Sequence, residues 1–162
     1  MFLKYFKVIC KVWDQYIYYI ESILGDPSET TKVEYTDDGR VNIFVGTQSN
    51  GQGHETVFTQ FLSDQTGIPA EKIRFVQGDS DLIARGGGTG GSRSVTIQNT
   101  ATLAAVEKII SAFTAFLSER QGVDEAEIRF DDEQFRVGTS HFTPTMLEVA
   151  EMVREAGRAD LL

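Results

Sequence analysis

Cysteine is nearly absent: Cys10 is the one cysteine in 162 residues. An internal disulfide, a cysteine-based zinc site and an iron–sulfur cluster held by this chain alone each need more. Basic charge is scarce as well. Fifteen Lys and Arg face 24 Asp and Glu, a formal net charge of -9, which argues against nonspecific binding to nucleic acid or anionic lipid. Long apolar runs are missing too. The most apolar-aromatic segment, "MFLKYFKVICKVWDQYIYYIESILG", is broken by Lys4, Lys7, Lys11 and Asp14 before it reaches the ~20 apolar residues of a membrane span. It carries no small-residue cleavage site of a secretory signal. Neither a Walker A motif nor a Rossmann fingerprint, the G-x-G-x-x-G spacing within a βαβ unit, is read in either of the glycine-rich turns. These absences predict a soluble cytoplasmic chain in which any bound anion is held locally, by backbone N–H groups and a few basic side chains.

What is present reads as one modest core, with 41% hydrophobic residues. Residues 1–25 form an apolar segment with Phe2, Phe6, Ile9 and Trp13 at helical spacing, and residues 26–162 read as a single domain. "TKVEYTDDGRVNIFVG" predicts a hairpin turning at Asp37-Asp38-Gly39. "GHETVFTQFLSDQTG" places Val57, Phe58, Phe61 and Leu62 on one helical face and stops at Gly67. "EKIRFVQGD" reads as a strand. A long helix is expected from Gln98 to about Gln121, carrying Leu103, Val106, Ile110, Phe113 and Leu117 inward and closed by Gly122. A second hairpin turns near residues 131–133. A last helix is expected with Thr143 as N-cap and Pro144 in its first position, burying Met146, Leu147, Ala150 and Val153. The order predicts an α+β, two-layer sandwich: a mixed β-sheet with helices packed on one face.

Two glycine-rich turns follow strands and lead into helices: "GTQSNGQGHET" and "GDSDLIARGGGTGGSRS". Helix N-termini leave N–H groups unpaired and favour negative charge. If the two strands are neighbours, both turns open at one sheet edge and a ligand fits between them. Glycine lets a phosphate approach the backbone, Ser and Thr add donors, and Arg93 offers a bidentate fork, an arrangement suited to pyrophosphate. By composition alone each turn also reads as an ordinary loop. His54 stands at a helix start with no second His, Cys or carboxylate pair beside it in sequence; such residues usually lie at the surface or serve in hydrogen bonding. Asp79 and Asp81 read as organisers of a turn rather than a cation site, and His141 receives no role. No Ser-His-Asp or Cys-His arrangement is evident.

Taken together, "GQGHET", "GIPAEKIRFVQGDSD" and "GTGGSRS" resemble, in order and spacing, the molybdopterin-binding region of the xanthine dehydrogenase and aldehyde oxidase family, which includes the large subunits of aerobic carbon monoxide dehydrogenases. The likeness runs from about Tyr19 through the long helix and more loosely toward the C-terminus. It implies molybdenum held by a molybdopterin cofactor, in some members as the cytosine dinucleotide. It places Gln52 near the molybdenum oxo group, Gly51, Gly53 and His54 shaping that turn, and Thr89, Gly90, Gly91, Ser92, Arg93 and Ser94 along the cofactor. It implies as partners the remainder of the large subunit and iron–sulfur and flavin subunits or domains. The glutamate-bearing, glycine-flanked segment that supplies the family's catalytic base is not in this chain, and Glu148, Glu151 and Glu155 fall on an ordinary helix. The chain therefore reads as an excised or truncated cofactor-binding piece, inactive and free of cofactor by itself and prone to self-association. The other reading, from a different class, is a noncatalytic α+β domain that binds a small anion or a protein partner.

Overall fold

The computed structural model describes residues 29, 31–90 and 92–162. The expected N-terminal helix, with Cys10, lies outside the described residues, as does Gly91. β1 (Thr31–Tyr35) and β2 (Val41–Val45) form the first hairpin, antiparallel and in register from Thr31 opposite Val45 to Tyr35 opposite Val41. The chain then forms α1 (His54–Thr66) and returns as β3 (Ile73–Gln77), parallel to β2. The sheet is mixed, with strand order β1-β2-β3. After α2 (Ser94–Gln121) come β4 (Ile128–Asp131), β5 (Gln134–Val137) and α3 (Met146–Glu155). The α+β class follows the sequence expectation. The second hairpin, however, forms a two-stranded sheet of its own.

Alternation places Val41, Ile43 and Val45 on one face of the central strand, and all three are fully buried. α1 rests on β3, and α2 contacts α1, β1 and β4. Phe113 of α2 joins the two sheets, with ring centroids 5.5 Å from Tyr35 and 6.2 Å from Phe135. On the opposite face of β2, Phe44 is buried beneath the Lys32 ammonium, 4.9 Å from the ring centre. By length and composition alone α2 is apolar enough to cross a membrane, but Val106, Phe113, Phe116 and Leu117 are buried within the protein.

Four sequence expectations are corrected by packing. α2 starts at Ser94 rather than Gln98, because Ser94, Gln98 and Thr102 form a buried polar stripe at helical spacing that apolar periodicity does not register. Leu103 and Val57 are exposed rather than inward, while Phe61 and Ile110 are half-buried. The N-cap of α3 is Thr145, not Thr143. Its side chain accepts from the Glu148 N–H while Glu148 accepts from the Thr145 N–H at 2.7 Å, a complete capping box. Pro144 stays outside the helix because its carbonyl accepts the Phe135 N–H at 2.8 Å and Thr145 bridges to Gln134. At the second hairpin the turn residues Asp132 and Glu133 both take positive φ, 51° and 64°, and the Glu133 stem closes over Gly67, leaving no room there for a β-carbon.

Candidate functional site at the loop end of the parallel strands

β2 and β3 are parallel neighbours, so the loops that follow them, residues 46–53 and 78–93, emerge at the same edge of the sheet. Their backbones cross at Gly46 and Gly86. A β-carbon on Gly86 would lie 2.3 Å from the Gly46 carbonyl oxygen and 2.7 Å from its Cα, so only glycine permits the approach. Thr89 Oγ1 donates to the Gln48 carbonyl, tying the second loop to the first. Glu29, just before β1, accepts from the Gly87 N–H at 2.8 Å. Gln77 at the end of β3 accepts from the Ser49 N–H at 2.9 Å. Between the loops lies an open cleft of about 260 Å³ lined in part by Gln48, Gly78, Asp79, Gly86 and Gly88.

Both helices that begin here are open at their N-termini. α1 has Gly53 as N-cap, in the left-handed region at φ 79°, and α2 has Arg93; neither receives a side-chain cap. The contrast with the fully capped α3 is internal to the molecule. First-turn N–H groups left without a capping side chain, aided by the helix dipole, are donors awaiting an acceptor. Arg93 Nη2 makes a long contact of 3.5 Å with the Gly87 carbonyl, and its buried Nη1 has no partner. Arg93 therefore has donor capacity to spare. Gly51, Gly53, Gly88 and Gly90 have open space where a β-carbon would stand. Ser92 takes a positive φ of 57°, and Ser94 is buried in the first turn of α2.

The Gln52 side chain folds back over its own loop. Its Oε1 accepts from the Asn50 N–H and, at 3.4 Å, from Ser49 Oγ. Its Nε2 faces the Gln48 carbonyl at 3.3 Å and His54 Nε2 at 3.1 Å. His54 was expected at the surface or in hydrogen bonding; it is hydrogen-bonded but only 2% exposed, with its ring 5.0 Å from that of Phe58. Burial holds its imidazole below the ordinary pKa, so it is neutral near pH 7. Its Nδ1 is buried without a partner. That burial had no signal in the sequence, where His54 stands among glycine and polar residues from Asn50 to Thr56.

Of the predicted residues, the structure gathers Gly51, Gln52 and Gly53 in one loop, with His54 opening α1 after it, and Thr89, Gly90, Ser92 and Arg93 in the other, with Ser94 opening α2. Asp79 serves as a turn organiser, accepting from the Asp81 N–H at 2.9 Å. Among the described residues no group of three or more His, Cys, Asp or Glu side chains is placed to hold a metal. A larger cavity, about 430 Å³, lies between the end of α2 and α3. It is lined by Glu148, Glu151 and Glu155 against Arg120, a charge balance that repels an anion.

The match to known proteins agrees with this geometry. A family model described as a molybdopterin cofactor-binding domain matches residues 13–161, starting a few residues ahead of the likeness read from the motifs. The carbon monoxide dehydrogenase large chain of Afipia carboxidovorans is 34% identical over 123 residues, 75% of this chain and 15% of that protein. The 6-hydroxypseudooxynicotine dehydrogenase complex subunit gamma of Paenarthrobacter nicotinovorans is 30% identical over 122 residues, again 75% of this chain and 15% of the relative. A solved structure of reconstituted CO dehydrogenase from Oligotropha carboxidovorans superposes with a TM-score of 0.70 at 34% identity, covering 76% of this chain and 15% of that one. The chain thus spans about 15% of the length of these curated relatives. With the family model covering nearly all of it, the chain belongs to the molybdopterin cofactor-binding domain family, of the xanthine dehydrogenase and aldehyde oxidase type.

Proposed function

We propose that this chain forms one wall of the molybdopterin site of a molybdenum hydroxylase large subunit. The observation that carries the reading is the pair of helix N-termini without side-chain caps, α1 and α2, opening side by side where the two glycine-rich loops cross. The orphaned Arg93 Nη1 and the open backbone at Gly51, Gly53, Gly88 and Gly90 fit a phosphorylated pterin. Gly90, Gly91, Ser92, Arg93 and Ser94 would hold its phosphates. Gly51, Gln52, Gly53 and His54 would shape the turn beside the molybdenum centre. A cytosine dinucleotide form suits two adjacent anion-binding turns.

When bound, the cofactor supplies the redox chemistry. The chain's own groups contribute binding, orientation and hydrogen-bond donors; of the carboxylates at the loop end, Asp79 organises its own turn and Glu29 accepts the Gly87 N–H. The parent reaction is hydroxylation of an aldehyde or heterocycle, or oxidation of carbon monoxide, with water as the oxygen source. Its partners are the remainder of the large subunit and iron–sulfur and flavin subunits or domains, in the cytoplasm, with no nucleic acid and no membrane span. We read residues 26–162 as one unit and residues 1–25 as an apolar segment preceding it, outside most of the motif likeness. By itself the chain is expected to lack cofactor and turnover. Val57, Val95 and Leu103 are exposed, and this apolar surface favours self-association.

An amide NMR titration of the 162-residue chain with inorganic pyrophosphate tests the anion wall. Shifts are expected at the first turns of α1 and α2 and at Arg93, and shifts elsewhere or none at all would sink the reading. Expression alone in a cofactor-producing host is expected to yield no stoichiometric molybdenum. Substrate-dependent dye reduction that scales with molybdenum content would overturn the claim of inactivity.

A further inference from the structure

The two ends of the Gln52 amide are not equivalent in this loop, and the surrounding groups decide which is which. The Asn50 N–H is a fixed donor and requires an oxygen; the Gln48 carbonyl is a fixed acceptor and requires an N–H. Turning the amide over would set nitrogen against the Asn50 N–H and oxygen against the Gln48 carbonyl, two conflicts in place of two bonds. Held as it is, Nε2 directs its second proton at His54 Nε2, 3.1 Å away. That ring nitrogen must then be an unprotonated acceptor, and the ring proton must sit on Nδ1, the buried atom that has no partner. One orphaned donor costs less than two opposed pairs.

We propose that His54 is a positioning residue for Gln52: the neutral, Nδ1-protonated imidazole accepts one Nε2 proton and fixes the amide with its nitrogen toward His54 and its oxygen turned into the loop. The bond to the Gln48 carbonyl, at 3.3 Å, is the longer of the two that Nε2 makes. An incoming oxygen ligand draws its proton from there, while His54 keeps the amide from rotating. Gln52 therefore meets such a ligand as a donor. This consequence rests on the cofactor site proposed above; the geometry of the loop does not.

Burial is the one cause behind the lowered pKa of the imidazole. α1 packs on β3, on α2 and on the short turn before β3. Arg74 at the start of β3 and Glu71 and Lys72 in the turn stand at the end of the sheet opposite His54, and Glu107 and Lys108 lie midway along α2. Glu55 and Arg93 lie at the same end as His54, and burial alone accounts for the lowered pKa.

The experiment is long-range 1H–15N NMR on the labelled 162-residue chain at neutral pH. The expected result is His54 as the Nδ1–H tautomer, with Nε2 showing the shift of an unprotonated nitrogen and the Gln52 side-chain N–H pair resolved from those of exposed glutamines. His54→Gln, which places an amide oxygen near the Nε2 position, is expected to keep the Gln52 pair resolved. His54→Leu is expected to move it to the position of a free amide. An Nε2–H tautomer in the unsubstituted chain overturns the proposal, whether or not the leucine variant folds. So does a folded His54→Leu chain with unmoved Gln52 signals. A failed pyrophosphate titration beside an Nδ1–H tautomer would remove the cofactor reading and leave this one standing.

Discussion

Replacing Gly86 by alanine tests the crossing of the two loops. The new β-carbon would sit 2.3, 2.7 and 2.8 Å from the carbonyl oxygen, Cα and carbonyl carbon of Gly46. All three atoms are backbone, so no side-chain rotation relieves the clash, and the loops must part by about 1 Å to reach van der Waals contact. Overpacking of this kind costs roughly 1–3 kcal/mol. For a domain of this size that corresponds to a fall in Tm of about 2–12 °C, taking ~2–4 °C per kcal/mol. Gly90 is the control: its β-carbon would meet nothing within 4 Å, and its φ is not positive. Alanine there restricts the unfolded chain and is expected to change stability by no more than about 1 kcal/mol, in the stabilising direction. Thermal and urea unfolding followed by circular dichroism measure both variants. Equal midpoints for Gly86→Ala and Gly90→Ala would refute the argument that backbone contact, rather than glycine flexibility, fixes the crossing.

Other expectations follow from single features. Thr145→Ala removes one half of the capping box of α3 and should cost about 1 kcal/mol in urea unfolding. Phe113→Ala, which empties the contact joining the two sheets, should cost about 3–5 kcal/mol. Thr89→Val removes the hydroxyl that ties the second loop to the Gln48 carbonyl; a loss of about 0.5–1.5 kcal/mol is expected, with faster hydrogen exchange in both loops and an unchanged core. The folded-state pKa of His54 is depressed, so between that pKa and its ordinary value of 6.5 the unfolded chain binds more protons than the folded one. Stability should rise with pH across that window and the His54 contribution should be flat below it; His54→Gln should remove this component, measured by urea unfolding in closely spaced buffers.

Much of the fold is written locally in the chain. Asp37-Asp38-Gly39 turns where its composition dictates, Gly67 and Gly122 end α1 and α2 in the left-handed region, and alternation in "VNIFV" marks the buried central strand. The start of α2 was harder to see because its first buried positions, Ser94, Gln98 and Thr102, are polar, and hydrophobic periodicity passes over them. Thr143 and Pro144 look like a helix start in isolation. Pairing with β5 holds that stretch extended, so the competing T-x-x-E signal at Thr145 and Glu148 prevails. For the site, the meeting of the two glycine-rich turns at one sheet edge and the spare donor capacity of Arg93 were legible. The burial of His54 and the contact of Gly46 with Gly86 were not, because each depends on neighbours distant in sequence.

The bond from Thr89 to the Gln48 carbonyl spans 41 residues and closes only once α1 and β3 lie in place on β2. Local segments such as the first hairpin order early, whereas a contact with so long an intervening chain carries its loop-closure entropy to the end of folding. The two loops therefore gain their shape last and lose it first when the sheet edge opens, ahead of any global unfolding. Protection of the loop amides from exchange thus reports whether β2 and β3 are correctly paired beneath them.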